Sequence, residues 1–180
     1  RQILDRIPGV YYREEDGYGN FPNISIRGAE GTRSDNVTIM EDGILTAPAA
    51  YSAPSAYYSP NPARMGGIEI LKGSSQIAHG PHTTGGVINY LSTQFPTDHS
   101  LYLKSTYGSN NAFDFHGYWS DTSEGDFGKV GLLTELYYRQ TDGFRTIDAG
   151  NGYAGSDNTG FDLMEPMVKL YWEPNLSLIH

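Results

Sequence analysis

A mostly β chain in two successive parts is predicted by three features of the sequence. Glycine, tyrosine and proline supply 22, 14 and 10 of the 180 residues and charged residues only 18%, a usage that favours turns and strands over long helices. Up to about residue 96, short aliphatic runs are each closed by glycine. Beyond that point apolar and polar side chains alternate with a period of two, the spacing of a strand with two unlike faces. The boundary is placed near Phe95 and Pro96, which gives parts at 1–96 and 97–180.

In the first part, Asn23 to Gly28, Val37 to Gly43 and Gly67 to Gly73 read as three strands of a small mixed fold. Residues 46–62 cannot form a regular helix, because Pro48, Pro54, Pro60 and Pro62 interrupt them, and they read as an aromatic loop with at most one helical turn. Ser74 to His79 fits a brief helical turn that Gly80-Pro81 stops, after which Gly85-Gly86 lets the chain turn into Val87-Ile88-Asn89-Tyr90.

In the second part, Phe113, Phe115 and Trp119 fall on one face of a strand and Asp114, His116, Tyr118 and Ser120 on the other. Leu101, Leu103 and Tyr107 alternate in the same way with Tyr102, Lys104 and Thr106, as do Val168, Leu170 and Trp172 with Lys169, Tyr171 and Glu173. Val130 to Arg139 is a less cleanly alternating fourth strand. The links are short at 108–111, moderate at 121–129 and long at 140–165, where no strand pattern shows. Periodicity alone fits a transmembrane barrel with one lipid-facing side and a soluble β-sandwich equally well.

Charge and composition exclude several functions. A net charge of −9 leaves no basic footprint for nucleic acid phosphates. The absence of cysteine excludes disulfides and thiolate metal sites. No apolar run reaches the length of a spanning helix, so membrane insertion, if any, is by strands. The residues after Arg1 carry no leader pattern, and the start reads as a cut or mature edge. There is no nucleophile elbow and no cysteine nucleophile, so the expectation is a protein that is not an enzyme and carries no cofactor. Glu14-Glu15-Asp16 reads first as a solvated turn. His79 and His82 have a spacing of three, but Gly80-Pro81 breaks the turn between them and argues against metal ligation. Gly28, Gly43, Gly73, Gly80 and Gly86 are read as structural, placed where the chain needs positive φ or close backbone approach.

Four blocks occur in one order: Ile7-Pro8-Gly9-Val10, Asn23-Ile24-Ser25-Ile26-Arg27-Gly28, Glu41-Asp42-Gly43-Ile44, and the stretch from Ile68 to Asn89. In that order they resemble the plug of TonB-dependent outer-membrane receptors, strongly over about residues 7–93 and loosely beyond, with the ferric dicitrate receptors as the nearest branch. The resemblance implies a mixed α/β plug with a small sheet, followed by the first antiparallel strands of a barrel of about 22 strands. It also implies a ferric chelate as ligand, the TonB-ExbB-ExbD complex as energy-transducing partner, outer-membrane lipid around the barrel, and a TonB box upstream of Arg1. Without the rest of the barrel, residues 97–180 are expected to aggregate.

The same resemblance implies that Arg27 and its companion Lys72 face carboxylates of the barrel wall, although a lysine lacks the guanidinium's bidentate fork. It places Arg33 and Ser34 at a ligand-facing apex, where a guanidinium suits a carboxylate-rich chelate. Tyr51, Ser52, Ser55 and Tyr57 lie on the next apex, where citrate receptors carry glutamines near the positions of Ala53 and Ser55. That departure, and a Glu14 to Asp16 apex that would repel an anionic chelate, leave open another metal chelate, haem, cobalamin or an oligosaccharide as cargo. A soluble secreted β-domain that binds polysaccharide or protein is the alternative of a different class.

Overall fold

The structure, a computed structural model, describes residues 4–28, 36–46, 58–79, 83–147, 156–157 and 159–175. The chain divides into two compact units, Arg1–Gln94 and Phe95–His180.

The first unit opens with a 3-10 turn at Leu4–Arg6 that leads into β1 (Val10–Glu14), which pairs antiparallel with β2 (Pro22–Ile26). A four-stranded mixed sheet follows, in the order β4-β3-β6-β5, from β3 (Val37–Glu41), β4 (Ile44–Leu45), β5 (Met65–Leu71) and β6 (Gly86–Ser92). Its central pair, β3 and β6, is parallel, with Val37 opposite Gly86 and Glu41 opposite Tyr90. Parallel strands need a crossover, and residues 42–85 supply it, with β5 returning antiparallel beside β6. The alternation of β2 buries Ile24 and Ile26, and these pack with Leu4, Val10, Val37, Ile39, Ile88 and Tyr90 as one core. Each such aliphatic side chain contributes roughly 1.5–3 kcal/mol when fully buried.

The β3–β4 connection is the two-residue Asp42-Gly43 turn, with φ of 50° and 80°, the pattern of a type I′ hairpin. It is also tied to β6, because Gly43 N donates to Asn89 Oδ1 at 2.9 Å and the Asp42 carboxylate accepts from Ser92 N at 3.0 Å and from the Ser92 hydroxyl. Gly28 and Gly73 also have positive φ, and Gly80 lies outside the described residues. The expected turn after Gly73 is a 3-10 segment, Ser74–His79, and a second one at Pro62–Arg64 starts on proline with Asn61 as its cap. β1 and β4 lie outside the strands that the sequence predicts.

The second unit is an antiparallel sheet in the order β12-β9-β8-β7, from β7 (Ser100–Tyr107), β8 (Phe113–Gly125), β9 (Gly128–Thr141) and β12 (Phe161–Glu173). The long link between β9 and β12 carries a small ribbon of β10 (Thr146–Ile147) and β11 (Ser156–Asp157). Two elements differ from expectation. The moderate link at 121–129 is a two-residue turn, because Asp121 to Gly125 continue the ladder against Leu132 to Gly128 and polar side chains do not end a strand whose backbone stays paired. β12 starts at Phe161 rather than near Val168, because Pro166 hides the earlier half in the sequence while the ladder with β9 continues past it.

Two expectations follow for the first unit. A methyl group at Gly86 (φ 150°) would lie 2.7 Å from Ile26 Cδ1 and 3.0 Å from the Leu71 carbonyl, so Gly86→Ala should destabilise the unit by about 1–3 kcal/mol in denaturant titration. Tyr90 is fully buried, and its phenol is pushed up from the ordinary value by burial and then by Tyr12. A raised folded value means that the contribution of neutral Tyr90 is intact below the unfolded pKa of about 10 and is lost as pH rises from there. Unfolding followed from pH 9 to 12 should therefore show an alkaline loss of stability that Tyr90→Phe reduces.

Candidate functional site

The ladder fixes which side chains share a face. Leu101, Leu103 and Tyr107 on β7 stand opposite Trp119, Gly117 and Phe113 on β8, which in turn oppose Thr134, Leu136 and Gln140 on β9. Leu132, Leu136 and Tyr138 oppose Leu170, Pro166 and Met164 on β12. This face is apolar and open to solvent: Leu101 is 62% exposed, Val168 65% and Leu170 80%. Its only charged strand residues are Asp121 and Asp162, one near each end.

The reverse face is polar. Glu135 on β9 sits 2.7 Å from Nε2 of His116 on β8, and the Arg139 Nε lies 3.0 Å from the Asp114 carboxylate. Tyr102 stacks on Tyr118 with ring centroids 5.2 Å apart and meets the His116 ring edge-on. Along β9 burial alternates, with Leu133, Glu135 and Tyr137 buried and Leu132, Leu136 and Tyr138 half-exposed. The shielded face thus carries the charges and the open face carries the aliphatic side chains, the reverse of a soluble sandwich strand.

The two ends of the sheet also differ. At one end β8 turns into β9 through Asp126 and Phe127 alone, and this turn is held by the Trp172 indole donating to the Phe127 carbonyl at 3.2 Å and Asn175 Nδ2 donating to the Gly125 carbonyl at 3.3 Å. At the other end lie the β7–β8 turn, with Asn110 and Asn111 in left-handed backbone, and the long β9–β12 link. Thr141 Oγ1 and Asp142 N both donate to the Asn110 carbonyl, which joins the two connections.

Aromatic side chains border the apolar face at both ends. Toward the long link, Tyr107 stands opposite Phe113 and Phe115 opposite Tyr138. Toward the two-residue turn lie Trp119 and Trp172, the latter opposite Val130 and so at the level of Ser123, four residues from Trp119 and two strands away.

In the first unit, Arg33, Ser34, Tyr51, Ser52, Ser55 and Tyr57 lie outside the described residues, as does His82. The feet of the 47–57 segment are described, and both rest on β3. Thr46 donates from its amide and its hydroxyl to the Ile39 carbonyl, at 3.1 Å each. Tyr58 donates to Glu41 at 3.2 Å and accepts from Arg64 Nη2 at 2.7 Å, while Arg64 also pairs with Glu41 at 2.7 Å. Burial opposes the charge on Arg64, but Tyr58 and Glu41 outweigh it and hold the guanidinium above its ordinary value. This trio was not anticipated from sequence; the one hint was an arginine directly after Asn61-Pro62-Ala63.

Arg27 is exposed at the end of β2 with φ of 55°, its amide donating to the Gly9 carbonyl at 2.7 Å. Lys72 Nζ donates to the Pro8 carbonyl, so the two expected companions both meet the 8–9 segment, one by backbone and one by side chain. In the acidic cluster, the Asp16 carboxylate accepts from the amides of Tyr18, Gly19 and Asn20, and Glu15 pairs with Arg13 and Asn23. These carboxylates hold their own turn together. His79 closes its 3-10 turn.

A small mixed domain with this strand order, followed by antiparallel strands with an apolar outer face, defines a plug-and-barrel protein. Residues 1–87 match the TonB-dependent Receptor Plug Domain. Two solved structures share the fold. The unliganded ferric citrate transporter FecA is 22% identical with a TM-score of 0.70, and the ferric yersiniabactin uptake receptor FyuA from Yersinia pestis is 18% identical with a TM-score of 0.67. Each match covers 97% of this chain and 26% of the other, so the chain spans about a quarter of their length.

Removing one partner of a fully buried ion pair costs about 3–5 kcal/mol, and Glu41 keeps 21% of its side-chain surface, which lowers that cost. Arg64→Ala should lower stability by about 2–3 kcal/mol and free the foot at Tyr58, read as protease cleavage within 46–62 that increases over wild type. Tyr58→Phe, which keeps the ion pair, should lower stability by less than half as much.

Proposed function

We propose that this chain is the plug and first barrel strands of a bacterial outer-membrane receptor that imports a ferric chelate of the ferric dicitrate kind. The carrying observation is the open apolar face with aromatic side chains at both ends, following directly on a plug domain. Such a face in water would demand a covering layer, whereas in a bilayer lipid covers it and the polar face lines the lumen. In this reading the two-residue turn is periplasmic and the long β9–β12 link extracellular, in keeping with the usual asymmetry of these barrels.

The chelate is taken at the apices 29–36 and 46–58, with Arg33 and Ser34 and the hydroxyl-bearing Tyr51, Ser52, Ser55 and Tyr57 as its contacts. The second apex rests on β3, so ligand bound there is mechanically continuous with the plug's central strand pair. Arg27 and Lys72 contact the barrel wall, and the TonB-ExbB-ExbD complex supplies the energy that admits the chelate to the periplasm. A second reading keeps the receptor and changes the chelate; the comparable likeness to a ferric yersiniabactin receptor favours it.

Uptake of labelled ferric dicitrate by cells carrying the full-length gene, by the Arg33→Ala variant and by cells lacking TonB tests the proposal. The expected result is robust uptake by the first alone, with Arg33→Ala reduced at least about tenfold, the scale of one lost charge-assisted hydrogen bond. Uptake independent of TonB would refute the energised mechanism. No ferric citrate uptake, with the receptor present in the outer membrane, would retain the receptor and replace its cargo.

A further inference from the structure

The apolar face has a groove at the middle of β8. Gly117 lacks a side chain there, and a methyl group in its place would lie 3.0 Å from both Leu103 Cδ2 and the Phe115 ring, so these two side chains lean over the backbone. Beside them Leu101, Trp119 and Leu136 frame an open groove of about 260 Å³. The glycine thus accommodates Leu103 and Phe115, and the groove beside them is bounded by apolar side chains.

The surroundings of the groove select among lipids. Its end toward the two-residue turn is closed by Trp119, whose ring meets His99 edge-on with centroids 6.1 Å apart. His99 Nδ1 lies 3.9 Å from Asp121, and both side chains are more than half exposed. Asp98 is next in sequence, and no lysine or arginine stands on this face of the four strands. The mouth is therefore acidic where the apolar groove ends. An acidic mouth repels anionic headgroups and attracts an ammonium group.

We propose that the groove seats one acyl chain of an amine-bearing zwitterionic phospholipid of the periplasmic leaflet, with its ammonium group at Asp121. This rests on the reading of the sheet as a transmembrane barrel wall. The chain lies along Leu101, Leu103 and Leu136, Trp119 stands at the interfacial level, and Asp121 sets the headgroup preference.

The test uses the full-length receptor in nanodiscs of equal phosphatidylethanolamine and phosphatidylglycerol, with retained lipid identified by native mass spectrometry on release. Wild type should retain phosphatidylethanolamine over phosphatidylglycerol by about fivefold, the factor expected for one charge near a membrane surface. Thr134→Phe, which fills the groove from the neighbouring strand, should bring retained lipid to background. Asp121→Asn should abolish the preference without lowering the total retained, and it decides the matter if Thr134→Phe does not fold. Equal retention by wild type and Thr134→Phe, or a wild-type preference for the anionic lipid, would overturn the lipid seat while leaving the barrel reading in place. A wild-type protein that never enters the bilayer as a heat-modifiable barrel would overturn both.

Discussion

Register is the constraint on which the second unit depends. The antiparallel ladder from β7 through β8 and β9 to β12 runs without a shift, and since side chains alternate with a period of two, it alone determines which face each residue joins. A one-residue slip of β9 would bring Glu135 to the apolar face and Leu136 to the polar one. The two-residue turn at Asp126-Phe127 and the Asn110–Asp142 contacts hold the register from opposite ends. The His116–Glu135 and Asp114–Arg139 pairs reinforce it between them.

The first unit solves a different problem, that of holding a parallel strand pair in a small domain. Polar side chains do much of this at the ends of β3. Asn89 accepts from the Gly43 amide and donates to Glu69 at 3.0 Å, so one side chain in β6 bridges the hairpin on one side and β5 on the other. Arg64 and Tyr58 hold the Glu41 end, while Thr46 holds Ile39. The aliphatic core sets the stability of the unit, and these contacts set where its long connection begins and ends.

Much of the fold was legible in sequence because its signals are local. Aliphatic runs closed by glycine marked β2, β3 and β5, and the Gly85-Gly86 turn marked the start of β6, whereas the hairpin at Asp42-Gly43, whose two residues both have positive φ, went unmarked. Alternation marked the cores of β7, β8 and β12. What escaped notice depends on distant partners. The polar residues after Ser120 are strand only because Gly128 to Leu132 pair with them, and the stretch before Pro166 is strand only because Tyr137 to Thr141 do. The Arg64–Glu41–Tyr58 trio joins three separate segments, and no spacing rule brings them together. The expected apex residues at 33, 34, 51, 52, 55 and 57 lie outside the described residues, so sequence speaks for them and geometry speaks only for the footing of the 47–57 segment on β3.

The parallel pairing of β3 with β6 also bears on the order of events during synthesis. β3 cannot complete its pairing until residues 86–92 have been made, and the whole crossover must then close over it, whereas β8 and β9 meet across two residues. Closing a long loop costs more entropy than closing a short one, and long-range pairing is slower than hairpin formation. The hairpins of the second unit thus have a kinetic head start per residue, even though the ribosome delivers them after the first unit. The domain that emerges first need not be the first to mature.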